Sequence, residues 1–260
     1  MLIESPEEII REEVSSVRAR KIILEELQQG QRTGTELREA IREDLIAREE
    51  EKGNGQEEVK VTDPKLYFNT KHLEKKGIIS SSKKGRQRIY QLSPKAIHPV
   101  RRVLNFGRPN LLITSVAMPD DQRPLAKWLS RDKRIDVNIV RVFVSERRFS
   151  RGVQRSLSRF VPNDCKKKWE TSWHEIPDSL LDSTVVEGHG NLKGIYEYME
   201  NVVLEDMQEY SLIVDVSMGP AVIVLALFML AFDYSLEALY LDRTERGEFR
   251  TFKLLPRGSP

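Results

Sequence analysis

LIVDVSMGPAVIVLALFMLAF, residues 212–232, decides the fold. Its first five residues, Leu212 to Val216, form a continuous apolar run broken only by Asp215, the pattern of a strand buried on both faces. Ser217-Met218-Gly219-Pro220 is a polar, Gly-containing turn. Pro220 to Phe232 is then apolar over 13 residues. A membrane span needs about 20, so this run predicts a helix buried behind the strand rather than a bilayer-crossing segment.

Working outward, the same strand–helix alternation runs back to Asn110. Leu111 to Ala117 reads as a strand and Gln122 to Ser130 as a helix. Ile135 to Val144 reads as a second strand and Trp169 to Ile176 as a third. Leu192, Ile195, Tyr196, Met199 and Val203 mark a helix, and Leu236 to Leu241 with Phe249 to Leu254 predict a closing hairpin around Arg246-Gly247. Repeated β-α-β steps imply a parallel sheet with helices on both faces. Between strands two and three, Phe149, Val153, Leu157 and Phe160 predict one helix. On it Arg147, Arg151, Arg155 and Arg159 would form a cationic stripe. That stripe suits phosphates, and equally a solvated face or a partner contact.

Upstream the pattern differs. Val17, Ile22, Ile23, Leu24 and Leu27 space as an amphipathic helix over Val14 to Leu27, with Gly30 as its stop. Thr33 and Glu36 have capping-box spacing ahead of Leu37, Ala40, Ile41 and Leu45, a second helix. An acidic, Gly-containing loop from Arg48 to Thr62 follows. Asp63-Pro64 then opens a third helix through Leu66, Tyr67, Thr70 and Leu73 to Gly77. Ile78 to Ser80 and Arg88 to Leu92 read as strands of a hairpin with a basic tip, and Lys95 to Phe106 as one more helix. Gly107-Arg108-Pro109 reads as a linker, giving domains 1–107 and 108–260.

Charge is distributed unevenly. Residues 1–59 hold 9 Lys/Arg against 16 Asp/Glu, whereas residues 60–108 hold 13 Lys/Arg against Asp63 and Glu74, a net +11 inside a chain of net +2. Such a block suits a polyanion, and equally a solvated basic face. The single cysteine, Cys165, excludes a disulfide framework and a Cys-rich zinc site, and fits a reducing, cytoplasmic setting. No signal peptide is expected. The four histidines, His72, His98, His174 and His189, are scattered, and no P-loop, Gly-x-Gly-x-x-Gly or Gly-x-Ser-x-Gly motif occurs. No metal, cofactor or catalytic residue is therefore expected, and an enzyme is the less favoured class.

Three helices and a basic hairpin, carried by Asn69-Thr70-Lys71-His72-Leu73-Glu74-Lys75-Lys76-Gly77-Ile78-Ile79 and Arg86-Gln87-Arg88-Ile89-Tyr90-Gln91-Leu92, resemble the winged helix-turn-helix of small bacterial and archaeal regulators. The resemblance covers about residues 15–95. It implies binding of double-stranded DNA, with Lys65, Asn69, Thr70, Lys71 and His72 on the recognition helix and Lys83, Lys84, Arg86 and Arg88 on the wing. The acidic loop is longer than the family's usual turn. A winged helix used for protein contacts is the alternative.

The second half resembles the CARF domain, the CRISPR-associated Rossmann fold, over about residues 109–243. The resemblance rests on a polar loop after the first strand and on Asp215-x-Ser217-x-Gly219 before an Ala/Leu-rich helix. It implies a homodimer that senses a cyclic oligoadenylate, with no membrane involved. In an open α/β sheet the ligand would meet the carboxyl ends of the strands. These are Thr114, Ser115, Val116 and Ala117 after strand one, Ser145 and Arg147 after strand two, and Ser217, Met218, Gly219 and Pro220 after the strand Leu212 to Val216. Met218, Pro220 and Ala221 depart from the family's loop, where glycine, threonine and a basic residue are usual. The chain is thus expected to be a ligand-responsive DNA-binding regulator of the α/β class. Its alternatives are a ring nuclease using Ser115 and Ser217, a metabolite sensor, or a dimerisation domain without ligand.

Overall fold

The structure, a computed structural model, describes residues 5–51, 62–118, 122–131, 136–152, 169–181, 191–243 and 249–255. The chain divides into two compact units, Met1–Gly107 and Arg108–Pro260.

Unit 1 begins earlier than the apolar spacing predicts. Ser5 caps helix α1 (Pro6–Ser16) through a capping box: the Glu8 N–H donates to Ser5 Oγ (3.2 Å) and the Ser5 N–H to Glu8 Oε2 (2.8 Å). The single helix expected over Val14 to Leu27 is broken at Val17 (φ −138°, ψ 112°), where α2 (Arg18–Leu27) starts. The cause is local. Ser15 and Ser16 turn their hydroxyls back onto the Glu12 and Glu13 carbonyls (3.1 and 3.3 Å), competing with the backbone ladder. A short strand β1 (Arg32–Thr33) follows, which the sequence pattern does not announce. Helix α3 (Gly34–Glu51) opens on reciprocal Thr33–Glu36 bonds (2.6 and 3.3 Å).

Helix α4 (Asp63–Lys75) starts one residue earlier than expected, with Thr62 rather than Asp63 at the N-cap. It buries Leu66, Thr70 and Leu73, one stripe at helical spacing. Tyr67, grouped with that stripe by the sequence reading, is half exposed instead. Gly77, at φ +72°, ends α4. Its N–H reaches the Glu74 carbonyl (2.9 Å) and the Ile78 N–H reaches the Leu73 carbonyl (3.0 Å), with Ile78 and Leu73 both buried. This Schellman geometry fixes the angle at which the next strand leaves the helix. Strands β2 (Ile79–Lys84) and β3 (Gln87–Leu92) pair antiparallel through the two-residue turn Gly85-Arg86. Gly85 has φ +63°, as the first position of a Gly-X hairpin turn requires. β1 joins the far side of β3, giving the order β1-β3-β2. Helix α5 (Pro94–Leu104) packs against α1, and Arg102 pairs with Glu7.

Unit 2 is a six-stranded, mostly parallel Rossmann-like sheet. Its strands are β4 (Asn110–Ser115), β5 (Val137–Ser145), β6 (Glu170–Ile176), β7 (Ser211–Asp215), β8 (Glu237–Arg243) and β9 (Phe249–Leu255). Their spatial order is β6-β5-β4-β7-β8-β9, parallel except for the antiparallel β9. The chain thus runs outward from β4 in one direction, then returns to place β7 on β4's other side. Helix α6 (Gln122–Arg131) covers one face, where Leu125, Trp128 and Leu129 pack on Leu112, Val140, Val142, Leu239 and Leu241. Helices α9 (Leu192–Asp206) and α10 (Ala221–Asp233) pack against each other, and α10 also packs on β4, β7 and β8. Leu111, Leu112 and Ile113 are all buried, as a strand sandwiched between helices demands. Two short helices, α7 (Glu146–Ser150) and α8 (Asp178–Leu181), follow β5 and β6.

The long helix expected from Phe149 onward stops at Ser150. Gly152 takes φ +82° and its N–H closes a turn on the Phe149 carbonyl (2.8 Å), so Arg147 and Arg151 do not lie on one extended helix. Arg155, Arg159, Val153, Leu157, Phe160, Cys165, His189 and the expected turn at Arg246-Gly247 fall outside the described residues.

Candidate functional site

Two surfaces gather the residues singled out above, one in each unit.

In unit 2 the strand order reverses between β4 and β7, the position where open α/β sheets form a crevice beyond their carboxyl ends. Both loops expected to matter meet here. Asp215, fully buried, ends β7. Its Oδ2 accepts from Thr114 Oγ1 (2.7 Å), and its Oδ1 accepts from the Ser217 N–H (2.9 Å) and the Ser217 hydroxyl. Ser217 Oγ in turn accepts from the Leu241 N–H (2.6 Å). Burial pushes the Asp215 carboxyl above its ordinary range, and the three donors pull the other way. One carboxylate therefore ties β4, β7 and β8 together at the crevice.

The second tie is steric. Ser115 Oγ donates to the Met218 carbonyl (2.5 Å), which lays the Ser217–Pro220 loop over β4. Gly219 has φ +108°, and a Cβ there would overlap Ser115 Oγ and come within 2.8 Å of its Cβ. Only glycine fits this approach. Pro220 caps α10 without a side-chain bond, its carbonyl taking the Ile223 and Val224 N–H groups (2.9 and 3.0 Å), so the Ala221 and Val222 N–H groups at the helix start gain no side-chain cap.

Thr114, Ser115 and Val116 are buried, and both hydroxyls are used internally; the Val116 N–H extends the β4–β5 pairing to the Phe143 carbonyl (3.2 Å). Ala117, Ser217, Met218, Gly219 and Pro220 are half-buried on the rim, and Met218 also touches the α6-side core. Ser145 caps α7 by accepting from the Arg148 N–H (3.3 Å). Arg147 is exposed, with its Nε 3.4 Å from Asp178 Oδ2 and its N–H on Asp178 Oδ1 (3.3 Å). Asp178 and Asp215 were not among the expected contact residues. Ser217 donates its hydroxyl to the buried Asp215 carboxylate and Ser115 to the Met218 carbonyl, so both hydroxyls serve the loop's own hydrogen bonds. No cluster of metal-ligating side chains occurs among the described residues.

In unit 1 the expected residues divide between two faces of α4. Lys65 and Lys71 are exposed, as are Lys83, Lys84, Arg86 and Arg88 on the hairpin. Thr70 is buried and bonds to the Leu66 and Tyr67 carbonyls (3.1 and 3.2 Å). Asn69 accepts from Arg20 Nε (3.2 Å) and donates to the Lys65 carbonyl (2.8 Å). His72 Nε2 lies 3.0 Å from Glu13 Oε1. Glu13 is buried and also takes Arg20 at 2.5 Å. Burial raises its pKa, but the bonds from His72 and Arg20 outweigh it and the net shift is downward. Glu13, Arg20, Asn69 and His72 thus bolt α4's inner face onto α1 and α2. The sequence reading missed Glu13 and Arg20, whose partner His72 stands 59 residues downstream of Glu13.

No protein-family model matches the chain, and no curated protein matches it. Solved structures do. Protein VC1899 from Vibrio cholerae is 14% identical over 58% of this chain and 34% of that one, with a TM-score of 0.42. Can2 from Sulfobacillus thermosulfidooxidans, solved in complex with cyclic tetra-adenylate, is 13% identical over 54% and 36%, with a TM-score of 0.34. Enterococcus italicus Csm6, solved bound to cyclic hexa-2'-fluoro-hexa-dAMP, is 10% identical over 53% and 34%, with a TM-score of 0.36. The chain therefore spans about a third of the length of the solved structures it matches.

Proposed function

We propose that the chain is a DNA-binding transcriptional regulator: unit 1 a winged helix-turn-helix, unit 2 a CARF-type sensor of a nucleotide second messenger such as a cyclic oligoadenylate. The observation that carries this reading is the exposed cationic surface of unit 1. Lys65 and Lys71 on α4 and Lys83, Lys84, Arg86 and Arg88 on the hairpin all face solvent, while the polar residues of α4's inner face are used internally. A helix that offers long cations outward beside a basic hairpin suits a duplex groove and its flanking phosphates. The β1-β3-β2 sheet behind α4 supports the same reading.

For unit 2 the support is the crevice at the switch point, with the Asp215–Ser217–Gly219 loop held over β4 and an uncapped helix start beside it. Ligand there would bias two arrangements of a dimer and so the presentation of its DNA-binding units. Gel-shift titration of the full chain on duplex DNA over a salt series, with and without cyclic tetra-adenylate, tests both halves. The expected result is a log-linear fall of affinity with salt, about 0.9 in slope per phosphate contacted. Ligand is expected to shift affinity by roughly tenfold. No duplex binding at low salt removes the regulator; identical curves with and without ligand remove the coupling.

The outer face of α10 supports a homodimer. Leu225, Met229 and Phe232 repeat at helical spacing and are 48%, 38% and 61% exposed. Tyr240 and Phe252, cross-strand partners on β8 and β9, are also exposed, on the sheet face opposite the one where Leu239 and Leu241 pack with α6. An uncharged surface of this kind is usually covered. Phe232→Glu with Leu225→Glu is expected to convert a dimer to a monomer in analytical ultracentrifugation. A wild-type chain that is monomeric at high concentration would contradict it. No helix among the described residues is long and apolar enough to cross a membrane. The proposal of a cytoplasmic protein rests instead on its single cysteine, which fits a reducing compartment.

A further inference from the structure

The buried stripe of α4, Leu66, Thr70 and Leu73, leaves Pro64, Phe68, Lys71 and Lys75 on the opposite side. Phe68 is 70% exposed, the most exposed large apolar side chain among the described residues, and Tyr67 beside it is 51% exposed. Their rings meet edge to face, with centroids 5.8 Å apart. Packing within unit 1 gives Phe68 no cover, so the fold does not account for a phenylalanine at this place. Its surroundings are cationic. Lys65 and Lys71 stand three residues to either side and Lys75 seven residues on, which puts all three on the same side of the helix. Asp63, the acidic residue at the start of α4, is paired with Arg38.

An occupant of this face must bring negative charge at its rim and an apolar group at its centre. The major groove of duplex DNA offers that combination: phosphates along both edges, and on its floor one apolar group, the C5-methyl of thymine. We infer that Phe68 is a specificity-determining residue, packing against a thymine methyl while Lys65, Lys71 and the hairpin cations hold the backbone. The inference rests on the DNA-binding reading and adds a base preference that the lysines alone would not supply, since phosphate contacts position the protein without reading sequence.

The test uses the full chain. Selection from a duplex library with a randomised centre defines the preferred site. Each thymine in that site is then replaced by uracil, which removes only the methyl. Wild type is expected to lose about fourfold in affinity at one thymine of each half-site, the factor for exposing one buried methyl. Phe68→Ala is expected to bind the thymine and uracil duplexes equally, with its salt slope unchanged, and Phe68→Leu to keep part of the preference. Circular dichroism melts of both variants, expected to match wild type because the side chain is exposed, confirm that each is folded. If Phe68→Ala binds duplex with the thymine preference intact, the inference fails and the DNA-binding reading stands. If Phe68→Ala instead changes only the sedimentation of the chain, the face is a protein contact and the inference fails. If wild type binds no duplex at any salt concentration, both fail together.

Discussion

Gly219→Ala is expected to destabilise unit 2 by about 3 kcal/mol, from a non-glycine residue forced to positive φ together with overpacking against β4. In a unit of this size that lowers the melting temperature by roughly 10 °C. Two causes contribute, and they separate. The first is φ +108°, which any side chain resists. The second is the overlap of the new Cβ with Ser115, whose Oγ and Cβ are the nearest atoms and whose backbone carbon lies at 3.2 Å. Ser115→Gly removes the first two obstacles and leaves the third. The double variant should therefore recover the steric part of the loss and keep the backbone part. A coupling of about 1–2 kcal/mol in the double-mutant cycle is expected, as for residues in direct contact. Strict additivity, measured by urea unfolding of the four proteins, would mean that the loop does not rest on β4. The same variant reports on function: a loop lifted off Ser115 displaces the first N–H groups of α10, so ligand coupling should weaken with stability.

This tie shows why part of the site was legible in sequence and part was not. The strand Leu212–Val216, the turn and the helix behind it follow from periodicity and length alone, because an apolar run too short for a bilayer and flanked by a glycine turn has few other homes. Gly219 was legible as the glycine of a turn, but the side chain it must clear was not. Ser115 lies 103 residues before Met218, whose carbonyl it bonds, and Thr114 lies 101 before Asp215. No local pattern encodes such pairs; the sheet order creates them by inserting β7 beside β4. The same holds in unit 1. The cations of α4 and the hairpin could be read from their spacing, whereas the inward use of Asn69 and His72 depends on Glu13 and Arg20, contributed by α1 and α2. Breaks were missed for a different reason. At Val17 and Gly152 the helical spacing continues past the point where the backbone departs from it. What stops the helix is a pair of serine hydroxyls in one case and a glycine in the other.

Unit 1 is expected to lose stability on mild acidification through a single residue, His98. It is buried in α5, and its Nε2 has no hydrogen-bond partner among the described residues. Burial above all, with Arg101 and Arg102 close by, depresses its pKa from 6.5 to about 3. The direction of the pH effect follows. Between those two values the unfolded chain holds a proton that the folded chain refuses. Stability is therefore complete above about pH 6.5 and falls as pH drops toward 3, at about 1.4 kcal/mol per pH unit. By pH 5 the loss from this group alone is about 2 kcal/mol. The carboxylates that hold unit 1 together, Glu13 and Asp44 among them, have lowered pKa values, so their own loss of stability on acidification sets in only where unfolded carboxylates begin to protonate, below about pH 5. His98→Leu removes the titration and also an unsatisfied buried nitrogen, so it should match or exceed wild type at pH 7. The gap between the two proteins should then widen steadily from pH 6.5 to pH 5. Hydrogen exchange at the α5 amides reads unit 1 separately from unit 2, where His174 is also depressed by burial. A pH-independent gap would show that His98 is hydrated or paired in the folded chain, and the acid sensitivity would then have to come from elsewhere.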